Sequence, residues 1–191
     1  MAMTQRPRQA GGGHATTPAS TRSTEVKATA RGAVSYVWAV ARLFLGWVFL
    51  WAFLDKLFGL GHETPAAKGW LDGGNPTKGF LSGGAKGPFE SFYHGIAGDP
   101  LTNWLFMIGL AGIGIALILG IGMRIAAVAG VVLLVMMWSV VLPPENNVFM
   151  DDHLIYAVVL IGLALVGAGD TLGFGRAWGN THLVRTYPIL K

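Results

Sequence analysis

Asp55 and Lys56 place a carboxylate and an ammonium group inside an otherwise apolar stretch that runs from Val34 to Leu60. A charged side chain costs about 2.5–3.5 kcal/mol at the centre of a bilayer and less near its surface. Lysine can extend to the surface, whereas the short aspartate side chain does so poorly. Adjacent helical residues also point about 100° apart, so the pair does not simply neutralise itself. Asp55 beside Lys56 is therefore the most unusual local feature of the sequence.

Helical spacing places Trp47, Trp51 and Asp55 on one face of the same helix. One interpretation is a polar, aromatic-lined pocket for the head group of a quinone, with Trp51 beside the ring. The other interpretation is an ion pair between helices together with an aromatic belt at the membrane interface. The pattern alone leaves both open.

A second polar cluster, Asp151-Asp152-His153, precedes the last long apolar segment. Either aspartate is suited to a helix N-terminus, which favours negative charge, and this capping role suits Asp151 best. Histidine titrates near neutral pH, so His153 is a candidate proton donor and acceptor. Tyr156 lies one turn deeper and is placed to hydrogen-bond a carbonyl, and Asp152 would help to hold the same ligand. We expect Asp55, Lys56, Asp152 and His153 to lie close together.

Composition excludes several other kinds of site. The chain has no cysteine, which excludes disulfides, thiolate nucleophiles and iron–sulfur clusters. No histidine lies within an apolar segment, so no buried haem is expected. The remaining histidines and acids show no specific metal-ligand spacing, and we predict no metal site. The formal net charge of +4 comes from residues outside the apolar runs, which favours anionic lipid over nucleic acid as the partner.

The low content of charged residues, 13%, points to lipid as the solvent, since soluble domains have about 25%. We predict an all-α fold, a four-helix transmembrane bundle within residues 34–172. Each predicted span has close to the ~20 residues that cross the hydrocarbon. The four spans are about residues 34–60, 101–120, 125–142 and 154–171.

The distribution of Lys and Arg predicts the orientation of these spans. Residues 1–33 form a basic tail, predicted to be disordered and cytoplasmic, and the basic segment 173–191 is also assigned to the cytoplasm. Residues 61–100 form a long outer loop with three lysines against four acids. Within it, Phe89, Phe92, Tyr93 and Ile96 recur at helical spacing after Pro88, which predicts a short interfacial helix.

Two further predictions concern packing. Arg42 lies toward the cytoplasmic end of the first span and Asp170 at that end of the fourth, so we expect a structural ion pair between them. Gly112, Ala116 and Gly120 form a stripe of small residues, which predicts a close approach by another helix.

Several segments, in order, resemble the DoxX/DoxD family of membrane proteins. The first span carries Arg42, Gly46 and Lys56 in the arrangement of that family's opening helix. The outer loop is similar to members described as large subunits of thiosulfate:quinone oxidoreductase, as are two later stretches. These segments cover residues 69–93, 112–130 and 143–179.

The resemblance implies a membrane subunit that oxidises thiosulfate to tetrathionate and passes electrons to membrane quinone. It implies a multi-pass protein of a bacterial plasma membrane with a second protein subunit, and a homo-oligomer is possible. On this interpretation Asp55, Lys56 and His153 are catalytic, while Trp51, Asp152 and Tyr156 bind the quinone. Some relatives in the family are scaffolds, so the alternative is a non-catalytic membrane protein that docks a soluble redox or detoxification enzyme.

Overall fold

A computed structural model describes the backbone of Pro18–Lys191 and the side chains from residue 32 onward. The predicted basic tail therefore lies partly outside the described residues, which exclude residues 1–17. Its remainder belongs to a helix that already begins at Pro18. The chain separates after Val34 into two units, and the core and the cavities described below belong to the second, Ser35–Lys191.

The regular secondary structure of the described residues is all helical, and these residues contain no strand. Its eight α-helices are joined by turns, several of them of the 3-10 type. The helices are α1 Pro18–Phe58, α2 Lys78–Gly83, α3 Glu90–Ile96, α4 Pro100–Leu119, α5 Met123–Val140, α6 Asp152–Leu165, α7 Gly175–Gly179 and α8 His182–Thr186.

Three of the helices are long and apolar enough to cross a membrane: Gly32–Phe58 of α1, then α4 and α5. They correspond to the first three predicted spans. The fourth predicted span contains α6, which has only 14 residues and is about 21 Å long. It ends at Leu165 because Gly167 adopts a left-handed conformation, and a 3-10 turn at Ala168–Asp170 follows. A fourth transmembrane helix stays a prediction.

The core lies where α1, α4, α5 and α6 meet. Leu117 and Leu163 are completely buried there, and Leu160 is nearly so. Side chains of α1, including Leu45 and Phe49, belong to the same apolar cluster. Because every long helix contributes to this cluster, the ends of the helices are fixed relative to one another, and so are the polar residues at those ends.

The loop between α1 and α4 is folded back onto the helices. Asn103 of α4 is buried, and its side-chain oxygen accepts hydrogen bonds from the amide and the hydroxyl of Thr77 at 3.2 and 2.7 Å. The Lys86 amide donates to the carbonyl of Val140 at the end of α5, at 3.1 Å. These bonds hold the loop over one end of α4 and α5.

The predicted short helix in this loop forms as α3, but its apolar residues do not share one environment. Tyr93 is buried and its hydroxyl donates to the Met136 carbonyl at 3.2 Å, while Ile96 packs against the same small cluster. Phe89 and Phe92 point outward and are about half exposed. An interfacial position for α3 therefore rests on Phe89 and Phe92 alone and stays a prediction.

Candidate functional site

A large cavity of about 1350 Å³ lies beneath the loop, between α4 and α5. Phe106 and Gly109 line it from α4, and Leu133 and Met137 from α5. Leu105 and Val132 also line it and are more than half exposed, so the cavity opens onto the apolar outer surface of the helices. Its interior is apolar and large enough for an aromatic head group with part of a hydrocarbon tail.

Charged side chains surround the cavity where the loop and the helix ends meet. Lys56, Lys68 and Lys78 all line it. Lys56 is only 14% exposed, and its ammonium lies 2.9 Å from the carboxylate of Glu63, which also lines the cavity. Lys68 and Lys78 form none of the salt bridges found in the described residues. Glu63 and Asp152 are the acids of the lining, so three lysines against two acids leave an excess of one positive charge, which favours small anions.

His153 lines the same cavity and is held by its neighbour on the chain. Its Nδ1 lies 2.7 Å from one carboxylate oxygen of Asp151, and the other oxygen of Asp151 accepts from the Leu154 amide at the start of α6. Asp151 is thus both the N-cap of α6 and the partner of the imidazole. With Nδ1 bonded to a carboxylate, Nε2 is the ring nitrogen left for proton exchange.

The model of the DoxX family matches residues 37–143, which is more than half of the chain and includes the second half of α1, the whole loop after it, α4 and α5. The chain belongs to the DoxX family. Together with the three apolar helices, this makes the DoxX chain a multi-pass membrane protein. No curated protein and no solved structure matches it.

Three of the residues predicted to cluster in this DoxX protein, Lys56, Asp152 and His153, line the cavity together. The expectation that they lie close together came from topology, because α1 ends and α6 begins on the same side of the bundle, and it stays a prediction. Asp152 is exposed, and its carboxylate lies 3.5 Å from His153 Nδ1.

Asp55, the fourth predicted member, has a different environment. It is buried and does not line the cavity. Its carboxylate accepts hydrogen bonds from the amides of His62, Glu63 and Thr64, at 3.3, 3.2 and 2.9 Å. Asp55 therefore fixes the chain that follows α1, including the segment that carries Glu63 to Lys56.

The predicted aromatic residues also lie elsewhere. Trp51 makes an edge contact with the imidazole of His62, with ring centroids 5.1 Å apart, and Tyr156 packs against the helical core. The aromatic side chains of the cavity are Phe80, Tyr93 and Phe106. Sequence reasoning missed Phe80 and Phe106, since only the folding of the loop over α4 brings them together. The helical spacing around Tyr93 was visible, but it indicated lipid contact.

The predicted ion pair between Arg42 and Asp170 does not form. Arg42 is completely buried and donates to backbone carbonyls of Leu117, Ile118, Thr171 and Leu172. Asp170 lies 3.7 Å from the ammonium of Lys191 instead. Arg42 therefore joins the end of α4 to the chain after α6 without a counter-ion on the described side chains.

Asp151, Asp152 and His153 are also the described residues whose side-chain atoms come close enough to share a metal ion, within 4.8 Å of one another. The hydrogen bonds of Asp151 with His153 and with the Leu154 amide are enough to hold these side chains close together. The absence of a metal site stays a prediction.

Proposed function

We propose that this chain is the membrane subunit of a quinone-linked oxidoreductase that oxidises a small sulfur oxyanion, thiosulfate being the leading candidate. The observation that supports this most is the cavity. It combines an apolar interior open to the outer surface of the helices with a cationic rim and an oriented histidine. A docking scaffold has no need of such a cavity, whereas a quinone and an anion each find suitable chemistry there.

The quinone ring is proposed to enter between α4 and α5, where Leu105 and Val132 border the opening. Phe106 and Tyr93 offer aromatic surface for the ring, and the isoprenoid tail remains among the apolar side chains of the two helices. This replaces Trp51 and Tyr156, the aromatic residues expected from the sequence, with residues that line the cavity.

The anion is proposed to bind at the rim. Lys68 and Lys78 attract it from the aqueous side, and Lys56, already paired with Glu63, completes the cationic surface. In the overall reaction, two thiosulfate ions lose two electrons and join through a new sulfur–sulfur bond, giving tetrathionate. The quinone gains these two electrons and two protons to become quinol, so that charge and atoms balance.

His153 is the proposed proton donor to the quinone oxygen. Its Nδ1 is held by Asp151, so Nε2 is presented in a fixed orientation, and Asp152 supplies a second, exposed carboxylate beside the ring. An imidazole nitrogen can both accept and donate a proton, which suits His153 to repeated proton transfer. Asp55 acts indirectly in this proposal, by holding the segment that carries Glu63.

The same proposal includes the membrane arrangement. Four segments cross a bacterial plasma membrane, α6 with the turn after it forming the fourth, and both termini are cytoplasmic. The loop between α1 and α4 then lies outside, with α3 at the outer interface. A second protein subunit is proposed to supply the redox centre for the sulfur oxyanion, because no cluster of described residues offers one. The apolar outer faces of the helices would also suit a homo-oligomer.

Filling the cavity tests this function directly. Gly109 lines the cavity, and a Cβ there meets only Leu133 at 3.7 Å, so Gly109→Phe can direct its ring into the space. Gly112 lies on the same helix and has nothing within 4 Å of such a Cβ, which makes Gly112→Phe the matched control. Purified protein with any co-purifying subunit is assayed for thiosulfate-dependent reduction of a soluble quinone analogue.

We expect Gly109→Phe to lower the rate at least about tenfold, equal to ~1.4 kcal/mol in the barrier, while Gly112→Phe keeps the parent rate. Both proteins should elute as folded, monodisperse species in detergent. Equal rates in the two variants contradict the quinone site. Absence of the reaction in the parent, with a soluble redox enzyme co-purifying, supports the scaffold alternative instead.

A further inference from the structure

A second, smaller cavity of about 230 Å³ lies at the opposite end of the helices, where α5 begins and α6 ends. This is the space of about eight water molecules at ~30 Å³ each. Leu165 and Val166 form one side and are 81% and 51% exposed. The indole of Trp178 forms another side. The cavity is therefore polar in part but borders the apolar outer surface of the protein.

The polar lining is mostly cationic. Arg124 and Lys191 line the cavity, and Asp170 is the one acidic side chain among the residues described there. One nitrogen of Arg124 donates to the Pro188 carbonyl at 3.0 Å, which leaves other donors of the guanidinium for a ligand. Lys191 and Asp170 are 3.7 Å apart, near the outer limit for an ion pair. Arg124 has no ionic partner among the salt bridges of the described residues, and Lys191 has only this long one.

A third cation lies directly behind the wall. Gly120 lines the cavity, and a Cβ on Gly120 would be 3.0 Å from Nη1 of Arg42. Arg42 is completely buried, and the salt bridges of the described residues do not include it. Its carbonyl partners carry only partial charges. Because the surroundings are of low dielectric, its positive charge adds to the potential in the cavity.

We propose that this cavity binds the phosphate of an anionic phospholipid, which supplies a counter-ion to Arg124, Lys191 and the buried Arg42. Guanidinium groups bind phosphate through charged hydrogen bonds. Leu165 and Val166 lie beside the cavity on the exposed surface, where acyl chains would run, and a tryptophan ring is suited to the glycerol level. A free inorganic anion would use the cations but not this apolar border. The site is independent of the quinone cavity and of the reaction proposed there.

Lysine and arginine variants test the site without touching the first cavity. The full chain, with an amino-terminal tag so that Lys191 stays in place, is purified in a mild detergent. Thermal unfolding is then followed with added phosphatidylglycerol, phosphatidylcholine or inorganic phosphate, and native mass spectrometry counts retained lipid. Arg124→Gln removes one cation, and Lys191→Gln is the second variant because it leaves the Arg124–Pro188 bond intact. Arg185→Gln is the matched control, since Arg185 is exposed and does not line the cavity.

Phosphatidylglycerol should raise the unfolding temperature of the parent and of Arg185→Gln more than phosphatidylcholine does. Arg124→Gln and Lys191→Gln should each weaken retention of the anionic lipid at least about fivefold. The proposal is overturned if inorganic phosphate stabilises as well as the lipid, which would indicate a free-anion site. It is equally overturned if both cavity variants behave like Arg185→Gln. None of these outcomes depends on turnover, so they separate this site from the proposed reaction.

Discussion

Arg42 shows how a permanently charged side chain can be buried in a membrane protein without an acidic partner. The last carbonyls of a helix have no intrahelical donors, and their dipoles give that end of the helix partial negative charge. Arg42 donates to Leu117 and Ile118 at the end of α4 and to Thr171 and Leu172 beyond α6. Its planar guanidinium can serve both segments at once, so its role is to join them.

Replacing Arg42 by lysine should therefore be strongly destabilising. A single ammonium cannot reach both pairs of carbonyls, and hydrogen bonds from charged donors contribute about 1.5–3 kcal/mol each. We expect the free energy of unfolding in detergent to fall by at least about 3 kcal/mol, measured by denaturant titration with a refolding check. Asp170→Asn should change it by less than ~1 kcal/mol, since its only described ion pair is long and partly exposed. Equal losses of stability in the two variants would instead support an ion pair between Arg42 and Asp170.

We expect Asp55 to have a structural role, so that its replacement mainly destabilises the chain segment beside it. Asn presents one acceptor oxygen and two donors, so Asp55→Asn cannot satisfy three amides. Amide exchange at His62, Glu63 and Thr64 should become faster, and stability should fall by about 1–3 kcal/mol. Glu90→Gln, an exposed change in the same loop, is the control for hydrogen–deuterium exchange. Unchanged protection at these three amides in Asp55→Asn would refute the role.

Asp55 and Arg42 also show what can and cannot be predicted from the sequence about a single residue. The need of Asp55 and Arg42 for partners follows from burial energetics alone, and it was predicted. The identity of those partners was not, because backbone amides and carbonyls are present at every position and leave no pattern. Lys56 and His153 line one cavity, in keeping with the order of the helix ends, and their shared role in a site stays a prediction.

At the scale of helices, α1 approaches α4 at glycines outside the predicted stripe, while Gly120 of the stripe packs against Gly169 in the turn after α6. A Cβ on Gly114 would lie 2.8 Å from the amide nitrogen of Leu50, so α1 and α4 touch backbone to backbone there. Gly46 makes the reciprocal approach to Leu117. Gly112, the first residue of the predicted stripe, is exposed. A small-residue pattern indicates that an approach occurs but not which face of the helix makes it.

Replacing Gly114 or Gly112 of α4 by alanine should change the stability of the protein in opposite directions. Gly114→Ala forces the backbones of α1 and α4 apart and should cost about 1–3 kcal/mol. Gly112→Ala meets nothing within 4 Å and should be neutral or stabilising by up to ~1 kcal/mol, from helix propensity. Thermal unfolding of the two variants in one detergent makes the comparison. Identical transitions would mean that α1 does not approach α4 at Gly114.

For the whole molecule, the number of membrane crossings decides on which side the C-terminal segment lies. The three apolar spans were predictable from composition, because a run of ~20 apolar residues matches the thickness of the membrane hydrocarbon and is typical of a transmembrane helix. The fourth was not settled by composition, since the turn at Gly167 divides its apolar stretch.

Single cysteines added to this cysteine-free chain distinguish the two topologies. Ser82 lies in the loop between α1 and α4, and Asn180 follows α7, and both are exposed. With four crossings, an impermeant thiol reagent applied outside intact cells labels Ser82→Cys only. With three crossings, both positions face the same side and are labelled alike. Labelling in broken membranes controls for access. If Ser82→Cys is not labelled in intact cells, the loop lies inside and the predicted orientation is wrong.

The attachment of the loop over the first cavity has a consequence for the response of the protein to ionic strength. The loop is held by the uncharged Thr77–Asn103 and Tyr93–Met136 bonds, both involving buried side chains, and by the amides around Asp55. Its exposed ion pair, Lys86 with Glu145, contributes little. Salt at physiological concentration reduces the Debye length to about 8 Å, which weakens attraction of anions by exposed lysines but leaves buried bonds nearly unaffected. The loop should therefore stay in place in brackish and fresh media alike, while the proposed binding of anions at the rim should weaken steadily with salinity.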